Sequence, residues 1–472
     1  MKDLLPSFVH RPLQTSWPTA VFLSGILAFA SPFSFSAQEI TGKQAIKGSS
    51  PGDSVWVTPR SRFDANFLQR IFLGQGHRDL WETPVQVQIL DLDQFAGGLT
   101  AFQRGGGLQT PSIRLRARDG LVYTFRSLDK DASRALDPEL RGSLAEKFAQ
   151  DFVSALLPYG ALIVDRIQEA AGVLHATPTL ALMPEDSRLG EFNEDFAGVL
   201  GWIQLRADEG PDGEPGFAGS EDVKGSEPFM EDLEDSPGNR PNSAAYLKAR
   251  LLDCLVGDWD RHPDQWLWAG FPEGPGGEDT RYEPVPRDRD WALAELDGLK
   301  MLVTQIPWPH DVGFGFEYPS AFRLTWTGRV RDRRLLPELT CPEWAAVARE
   351  LVTSLPDSVI EEAVGRLPPS HFEAVGPEII RALKNRRDNL MAFAREFYIL
   401  QAEAVDIRGT DEDDLVILER LPGDLLKVTI FAAKADGSRG YPYFDRTFSG
   451  EETEEVRVYL HGGDDEARIQ EW

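Results

Sequence analysis

The sequence predicts an α+β protein in three parts: a small β-rich part, a helical part and a short antiparallel β module. Two alternating runs within residues 112–128 are joined by an Asp-Gly pair, which is typical of a hairpin with a type I′ turn. Helical patterns cover residues 342–355 and 377–405. Alternating apolar runs return in residues 406–472 and predict the closing β module.

Composition indicates a folded, acidic protein. The 472 residues are 42% hydrophobic and 10% aromatic, which leaves room for two or three domains. The formal net charge is −27, from 49 basic and 76 acidic side chains. Because duplex binding depends on Lys and Arg neutralising phosphates, this charge argues against nucleic acid as a partner. The two cysteines, Cys254 and Cys341, do not define a disulfide framework.

The N-terminal end has the pattern of an export signal. Lys2 and Arg11 precede an uncharged run whose apolar core, Ala20 to Ala30, is shorter than the ~20 residues of a membrane-spanning helix. We predict a signal peptide over residues 1–37, and an exported protein that is periplasmic, attached to the outer-membrane surface or extracellular. The sequence predicts no membrane span after signal removal. Residues 38–60, rich in Gly, Ser and Pro, predict a flexible lead-in.

The β-rich part is predicted over residues 61–206. Besides the hairpin, the predicted elements are helices at 61–72 and 161–171, a helix starting at Asp137, and strands at 85–89, 178–183 and 199–206. Residues 207–242 are acidic and rich in Gly and Pro, with too little apolar surface to order themselves. We interpret them as a linker or insertion. The helical part is predicted over residues 243–405.

Polar acceptors concentrate in two segments of the helical part. The first is Gly257-Asp-Trp-Asp-Arg-His-Pro-Asp-Gln-Trp266, and the second is Pro286-Arg-Asp-Arg-Asp290. Carboxylates are rarely buried unless they are paired or bind a metal, yet these lie among tryptophans that belong in a core. The pattern indicates a partly buried cation or phosphate site. Taken singly, each feature could instead be a structural ion pair, a core histidine or a charged turn.

A glycine triplet, Gly105 to Gly107, precedes the hairpin. Such a stretch lets backbone amides approach a ligand closely, although alone it is equally typical of a turn.

These motifs, taken together, resemble atypical protein kinases. The segment Gly257 to His262 resembles the Gly-Asn-x-Asp-Arg-His loop of HipA toxin kinases and secretory-pathway casein kinases, and Pro286 to Asp290 resembles the Pro-Trp-Asp-x-Asp segment of spore-coat CotH kinases. Residues 61–298 are similar to uncharacterised exported bacterial proteins, some of them fused to a BamA/TamA-like outer-membrane barrel. The resemblance implies a two-lobed kinase-like fold with a small β-rich N-lobe and a helical C-lobe.

The resemblance also implies roles for individual residues. Asp260 matches the base that accepts the substrate hydroxyl proton, within a catalytic motif that includes Arg261 and His262. The implied metal ligands are Gln265, Asp288 and Asp290. The implied nucleotide-binding residues are Gly105, Gly106, Gly107, Gln109, Arg126, Lys130 and Glu146, with Glu146 as partner of the phosphate-binding cation.

The predicted function is an exported phosphotransferase that uses ATP or another nucleotide with Mg²⁺ or Mn²⁺ to modify a hydroxyl of a protein or glycan. The departures from the kinase pattern are Asp258 and Gln265 in place of Asn, and Arg126 in place of Lys. They leave open an inactive kinase-like binding module beside an outer-membrane protein. The same carboxylates would also suit a metal-dependent hydrolase or a calcium-stabilised surface protein.

Overall fold

The computed structural model describes residues 49–471 except 61, 62, 64, 107–109, 133–135, 275 and 434–437. The predicted signal peptide lies outside the described residues, as does the first part of the predicted lead-in. The prediction of a flexible lead-in is wrong for its last part, because Ser54–Val57 (β1) pairs with Val85–Gln88 (β2). No helix in the described ranges is long and apolar enough to cross a membrane.

A five-stranded antiparallel sheet forms the β-rich part, in the order β3-β4-β5-β7-β6. Its strands are Leu99–Arg104 (β3), Ser112–Ala117 (β4), Val122–Ser127 (β5), Thr179–Leu182 (β6) and Leu200–Leu205 (β7). The helices around it are Phe67–Leu73 (α1), Arg78–Glu82 (α2), Leu144–Phe152 (α3), Gly160–Ala171 (α4) and Asn193–Phe196 (α5). The predicted hairpin is confirmed as β4 and β5, which pair antiparallel. The predicted type I′ turn is wrong, because Gly120 has a positive φ of 89° but Asp119 does not, and the Gly120 amide donates to Ala117 O at 3.1 Å.

The two faces of this sheet have different partners. Ile113, Phe125 and Ile203 are fully buried in a core on the outer face. Because side chains alternate along a strand, Arg126 and Trp202 lie on the opposite, inner face. Trp202 belongs to the main core of the protein, so the inner face is directed toward the helical part.

Residues 207–242 are ordered, so the prediction of a linker without its own structure is wrong. They form Asp222–Gly225 (β8), Ser226–Asp235 (α6) and Asn239–Pro241 (β9). The fully buried Phe229 stacks on Trp268 with ring centroids 3.9 Å apart. The apolar surface that orders this acidic segment is therefore supplied by a strand distant in sequence, which local composition does not reveal.

A second sheet has the order β8-β10-β11-β9, and its central hairpin is Trp266–Glu273 (β10) with Asp279–Pro286 (β11). The helices of the C-terminal half are Ser243–Val256 (α7), Met301–Thr304 (α8), Ala321–Thr325 (α9), Arg329–Leu335 (α10), Cys341–Ser354 (α11), Asp357–Gly365 (α12) and Pro369–Ala402 (α13). Buried residues of α7, α11 and α13 share the main core. The α+β prediction is confirmed.

The C-terminal module contains Ala404–Arg408 (β12), Asp414–Leu421 (β13), Leu425–Ala433 (β14), Arg439–Ser449 (β15), Glu455–Tyr459 (β16) and Glu466–Glu471 (β17). Strands β13, β14 and β15 pair antiparallel in sequence order, which agrees in part with the predicted antiparallel module. A purely antiparallel module needs correction, however, because β12 pairs with β16 and β13 with β17 in parallel. Parallel partners are joined by long connections, which leave no turn signal in the sequence.

Candidate active site

The first acceptor-rich segment directly follows helix α7. The helix ends at Gly257, whose φ of 73° is left-handed and closes the helix with amide bonds to Asp253 O and Cys254 O. A β-carbon on Gly257 would also lie 3.3 Å from the Phe314 ring. Glycine therefore allows the chain to turn sharply, and residues 258–265 then lead directly into β10.

Arg261 holds this loop against the second acceptor-rich segment. Its side chain is completely buried, and it donates hydrogen bonds to the carbonyl oxygens of Arg287 at 2.9 Å, Asp288 at 3.2 Å and Gln265 at 3.2 Å. The prediction of a catalytic role for Arg261 therefore needs correction. A guanidinium without solvent exposure that is bound to backbone carbonyls positions the loop and does not reach a substrate.

A buried network of arginines and carboxylates surrounds Arg261. Its Nε lies 3.2 Å from Asp253 Oδ2, and Arg289 forms ion pairs with both Asp253 and Asp258. Burial raises the pKa of Asp258 to about 7, although Arg261 and Arg289 oppose that effect. Asp253 has the opposite balance: burial would raise its pKa, but its three neighbouring arginines hold it below the usual value.

The sequence prediction missed Asp253, Arg250 and Arg289 as parts of this network. Arg250 is fully buried and forms a 2.8 Å ion pair with Asp332. The available signal was the spacing of Arg250 and Asp253 inside the apolar α7, because two charges three residues apart in a buried helix require partners.

Asp288 and Asp290 meet two cations from the β-rich part. Arg126 Nη2 on β5 lies 2.7 Å from Asp288 Oδ2, and Lys130 Nζ lies 2.5 Å from Asp290 Oδ2. Asp288 has a φ of 52°, a left-handed conformation that a non-glycine residue rarely adopts. Strain of this kind often accompanies a functional site. The four predicted residues thus form one cluster where the two parts of the protein meet.

The two carboxyl groups of this cluster differ in acidity. Burial and the Asp288 charge raise the pKa of Asp290 to about 6. For Asp288, burial would raise the pKa, but Arg126 and Lys130 hold it well below its usual range. Asp288 is therefore the more acidic carboxyl group of the pair.

Asp260 stands beside this cluster with its carboxylate available. Within the described residues, no hydrogen bond or ion pair engages its side chain. Burial raises its pKa, Asp288 adds to that effect, and His262 and Lys130 oppose it. A carboxylate with a raised pKa and no bound donor is suited to accept a proton.

The other predicted residues of this loop lie differently. The His262 side chain is 43% exposed, and its Nε2 lies 3.1 Å from Gln265 Nε2. The Gln265 side chain thus contacts His262 and, within the described residues, makes no hydrogen bond to Asp288 or Asp290. Its predicted role as a metal ligand remains a prediction.

Gly105 and Gly106 directly follow β3, an edge strand of the five-stranded sheet, whereas Gly107 and Gln109 fall outside the described residues. The Gly105 amide donates to Ser112 O at 2.8 Å, and a β-carbon on Gly105 would lie only 2.0 Å from Ser112 Oγ. Packing against β4 thus suffices to explain this glycine. Among the described residues, no atom lies within 4 Å of a β-carbon built on Gly106.

Glu146 does not pair with either cation in the described structure. Its carboxylate accepts a hydrogen bond from the Gly142 amide, and Arg126 and Lys130 are bound to Asp288 and Asp290 instead. The predicted partnership between Glu146 and the phosphate-binding cation is therefore corrected.

The same residues bear on metal binding. The described residues contain no group of three or more His, Cys, Asp or Glu side chains arranged to hold an ion. Asp288 Oδ1, however, is buried without a hydrogen-bond partner, and it adjoins a second carboxyl group. Magnesium is commonly bound by one or two carboxylates, with phosphate and water oxygens completing its octahedron. Asp288 and Asp290 fit that partial ligand set.

Comparisons with known proteins give only distant similarity. No family model matches the chain, and no curated protein matches it. Two similar solved structures are a Helicobacter pylori proinflammatory kinase, CtkA, and a chain from the Shewanella oneidensis MR-1 toxin–antitoxin complex of HipA, HipB and operator DNA. The first has 10% identity and a TM-score of 0.35, over 63% of this chain and 95% of that chain. The second has 12% identity and a TM-score of 0.30, over 63% and 67%. Because both TM-scores are low, the function proposed below depends on the site geometry.

Proposed function

We propose that the junction of the β-rich and helical parts around Arg126, Lys130, Asp260, Asp288 and Asp290, called the cleft below, is the active site of a kinase-like phosphotransferase. The enzyme would move the terminal phosphoryl group of a nucleoside triphosphate to a hydroxyl acceptor. One observation carries the proposal: two cations and two carboxylates from different parts of the fold pair one to one beside the unpaired Asp260. This is the set of groups that phosphoryl transfer requires, namely cations for phosphate oxygens, carboxylates for a divalent metal and a base for the acceptor.

The charges allow the nucleotide and its metal to enter together. Phosphate oxygens would replace the carboxylates as partners of Arg126 and Lys130. Asp288 and Asp290 would then hold Mg²⁺ or Mn²⁺, which neutralises charge on the phosphates. Each buried charge would then exchange one partner of opposite sign for another. Because an unpaired buried charge is unfavourable by several kcal/mol, binding of phosphate and of metal should each favour the other.

Asp260 would act on the acceptor. Its carboxylate takes the hydroxyl proton as the acceptor oxygen forms a bond to the terminal phosphorus. The bond from that phosphorus to the bridging oxygen breaks, and the nucleoside diphosphate leaves with the electron pair. The buried Arg261 keeps the Asp260 loop and the Asp288 segment at fixed separation through its bonds to both backbones.

We further propose that the chain acts after export, as the pattern of residues 1–37 indicates. A protein or glycan of the cell envelope is then the acceptor, and an outer-membrane protein is the expected partner. Fractionation of cells that express the full chain with a C-terminal tag tests this point. Recovery of the tag with the cytoplasm would contradict export.

Labelled ATP tests the phosphotransferase proposal. Purified protein is incubated with the label and Mg²⁺ or Mn²⁺, and self-labelling, transfer to envelope protein or glycan, and diphosphate release are measured. Asp260→Asn should lower transfer by about 10²-fold or more, the range expected for general-base catalysis. Asp288→Asn should also lower transfer, because the metal loses a carboxylate ligand. Asp264→Asn is the matched control, because Asp264 lies in the same loop with its side chain 96% exposed.

Each outcome favours a different function. Asp260-dependent transfer supports the enzyme. A nucleotide-dependent rise in melting temperature without transfer under any condition favours the inactive kinase-like binding module. Absence of both nucleotide binding and transfer, with either metal, contradicts the proposal.

A further inference from the structure

A second group of basic side chains lies on the cleft, beyond the pair formed by Arg126 and Asp288. We call Arg114, Arg206 and Arg287 the arginine cluster. Its presence is unexpected in a chain with a net charge of −27. None of the three belongs to the ion pairs that the proposed transfer step uses.

Strand register places two members of the cluster on the inner face of the five-stranded sheet. Arg114 on β4 is aligned with Thr124, and Thr124 with Gln204 on β7. Arg206 follows β7 directly, and its amide donates to Val122 O at 2.8 Å. The alternate residues Ile113, Phe125 and Ile203 fill the outer core, so this part of the inner face presents polar and basic side chains.

The third member, Arg287, approaches from the opposite side of the cleft. Its amide donates to Gln265 O at 2.8 Å, and it immediately precedes Asp288, which Arg126 contacts. The Arg287 guanidinium is repelled by Arg126 and Arg206. Positive charges from the five-stranded sheet and from the segment after β11 thus lie close to one another.

Existing contacts leave one of these charges without a direct partner. Arg206 pairs with Asp208 at 2.6 Å, and Arg114 donates to Gln103 at 3.0 Å. Within the described residues, the Arg287 side chain has no hydrogen bond and no carboxylate within ion-pair distance. Asp288 and Asp264 attract it only from farther away. Guanidinium groups held together against repulsion are suited to bind an oxyanion bidentately.

The position of the arginine cluster indicates whether it would contact the phosphate donor or the acceptor hydroxyl. Asp260 interacts with Lys130 and Asp288, whereas Arg287 interacts with Asp288 and Arg126. Asp288 is bound by Arg126, which lies on the same sheet face as Arg114, and Arg287 directly precedes Asp288 in the chain. An anion at the cluster would therefore lie beside the cation that is proposed to hold the donor phosphates.

We propose that the arginine cluster binds a further phosphate group of the phosphoryl donor, separate from the group that is transferred. This inference rests on the proposed function for the direction of the donor, but the anion site itself can be tested by binding alone. Two sources supply the same chemistry: a chain of inorganic phosphates, or a nucleotide with an additional phosphate on its ribose.

The test is calorimetric titration, without divalent metal, of the full protein with inorganic tripolyphosphate, adenosine 3′,5′-bisphosphate, ATP and AMP. Wild-type protein should bind tripolyphosphate or the bisphosphate more tightly than AMP. Arg287→Gln should weaken that binding by about tenfold or more, because a charge-assisted bidentate contact is lost. Arg287→Lys should recover part of it. Arg118→Gln is the control, since Arg118 is exposed in the same hairpin as Arg114.

Arg114→Gln provides a second test if Arg287→Gln alters the melting temperature, and it should weaken the same ligands. Preference for tripolyphosphate identifies a phosphate chain, and preference for the bisphosphate identifies a nucleotide. Equal binding of every anion by wild type, Arg287→Gln and Arg114→Gln overturns the inference, even where Asp260-dependent transfer from ATP is observed. Arginine-dependent anion binding without any transfer supports the anion site and contradicts the phosphotransferase instead.

Discussion

Replacing Asp253 with Asn should destabilise the whole protein, because this carboxylate joins the parts of the candidate site. Its side chain is fully buried. It lies 3.0 Å from Arg250 Nη1 and 3.2 Å from Arg261 Nε, and it also pairs with Arg289. Asparagine keeps the shape of the side chain but removes the charge that these three cations share.

The expected loss follows from the burial. Removing one partner of a buried ion pair typically costs about 3–5 kcal/mol, because the remaining charge is left uncompensated. Asp258 compensates part of the charge, since Arg261 and Arg289 also contact it. We therefore expect about 3 kcal/mol and a fall in melting temperature of roughly 3–4 °C.

Urea unfolding and scanning calorimetry at neutral pH measure the effect. Asp357→Asn is the matched control: Asp357 also contacts two cations, Lys384 at 2.9 Å and Arg387 at 2.7 Å, but its side chain is 57% exposed. Exposed ion pairs contribute little, so the control should melt near the wild-type temperature. Equal, small changes in both variants would refute the reasoning that the buried network holds the site together.

Three further predictions concern metal binding, pH and the acidic segment. The Lys130→Met variant should bind Mn²⁺ without nucleotide about tenfold more tightly than wild type, since Lys130 no longer competes for Asp290. Equal Mn²⁺ affinities, measured by electron paramagnetic resonance, would argue against the proposal that the metal replaces Lys130 at Asp290. Burial raises the pKa of Asp311 to about 7, so the folded state binds this proton more tightly than the unfolded state, and stability should fall as pH rises from about 4 to 7 by at most about 4 kcal/mol. Asp311→Asn should remove that part of the pH dependence of the melting temperature, and an unchanged slope would contradict it. Phe229→Ala should lower the free energy of unfolding, measured in urea, by about 3–5 kcal/mol. Phe67→Ala is the control, because the Phe67 ring is 77% exposed. Similar stability of the two variants would mean that the acidic segment is not part of the core.

Local sequence signals were sufficient for much of this structure. The Asp-Gly pair at residues 119 and 120 predicted the β4–β5 hairpin, because such a pair between two alternating runs is a strong local signal for a turn, although the turn type itself was wrong. The same hairpin carries Arg126, and the polar segment after β11 carries Asp288. The resemblance to kinases implied both residues, and they contact each other in the folded protein where the two parts of the chain meet.

Features that depend on partners distant in sequence could not be predicted. Residues 207–242 are poor in apolar side chains, and their order depends on the stacking of Phe229 on Trp268. The burial of Arg261 results from carbonyl oxygens at residues 287 and 288, which no local pattern reveals. The arginine cluster combines side chains from two strands of one sheet with Arg287 across the cleft, so it exists only in the folded protein.

A crystal structure with Mg²⁺ and a non-hydrolysable ATP analogue would show whether nucleotide and metal replace the two ion pairs. We predict that Arg126 and Lys130 leave Asp288 and Asp290 for phosphate oxygens, that the metal lies on those two carboxylates, and that Asp260 faces the terminal phosphate. A nucleotide bound elsewhere, or one in the cleft with both ion pairs intact and no metal on the carboxylates, would contradict this prediction.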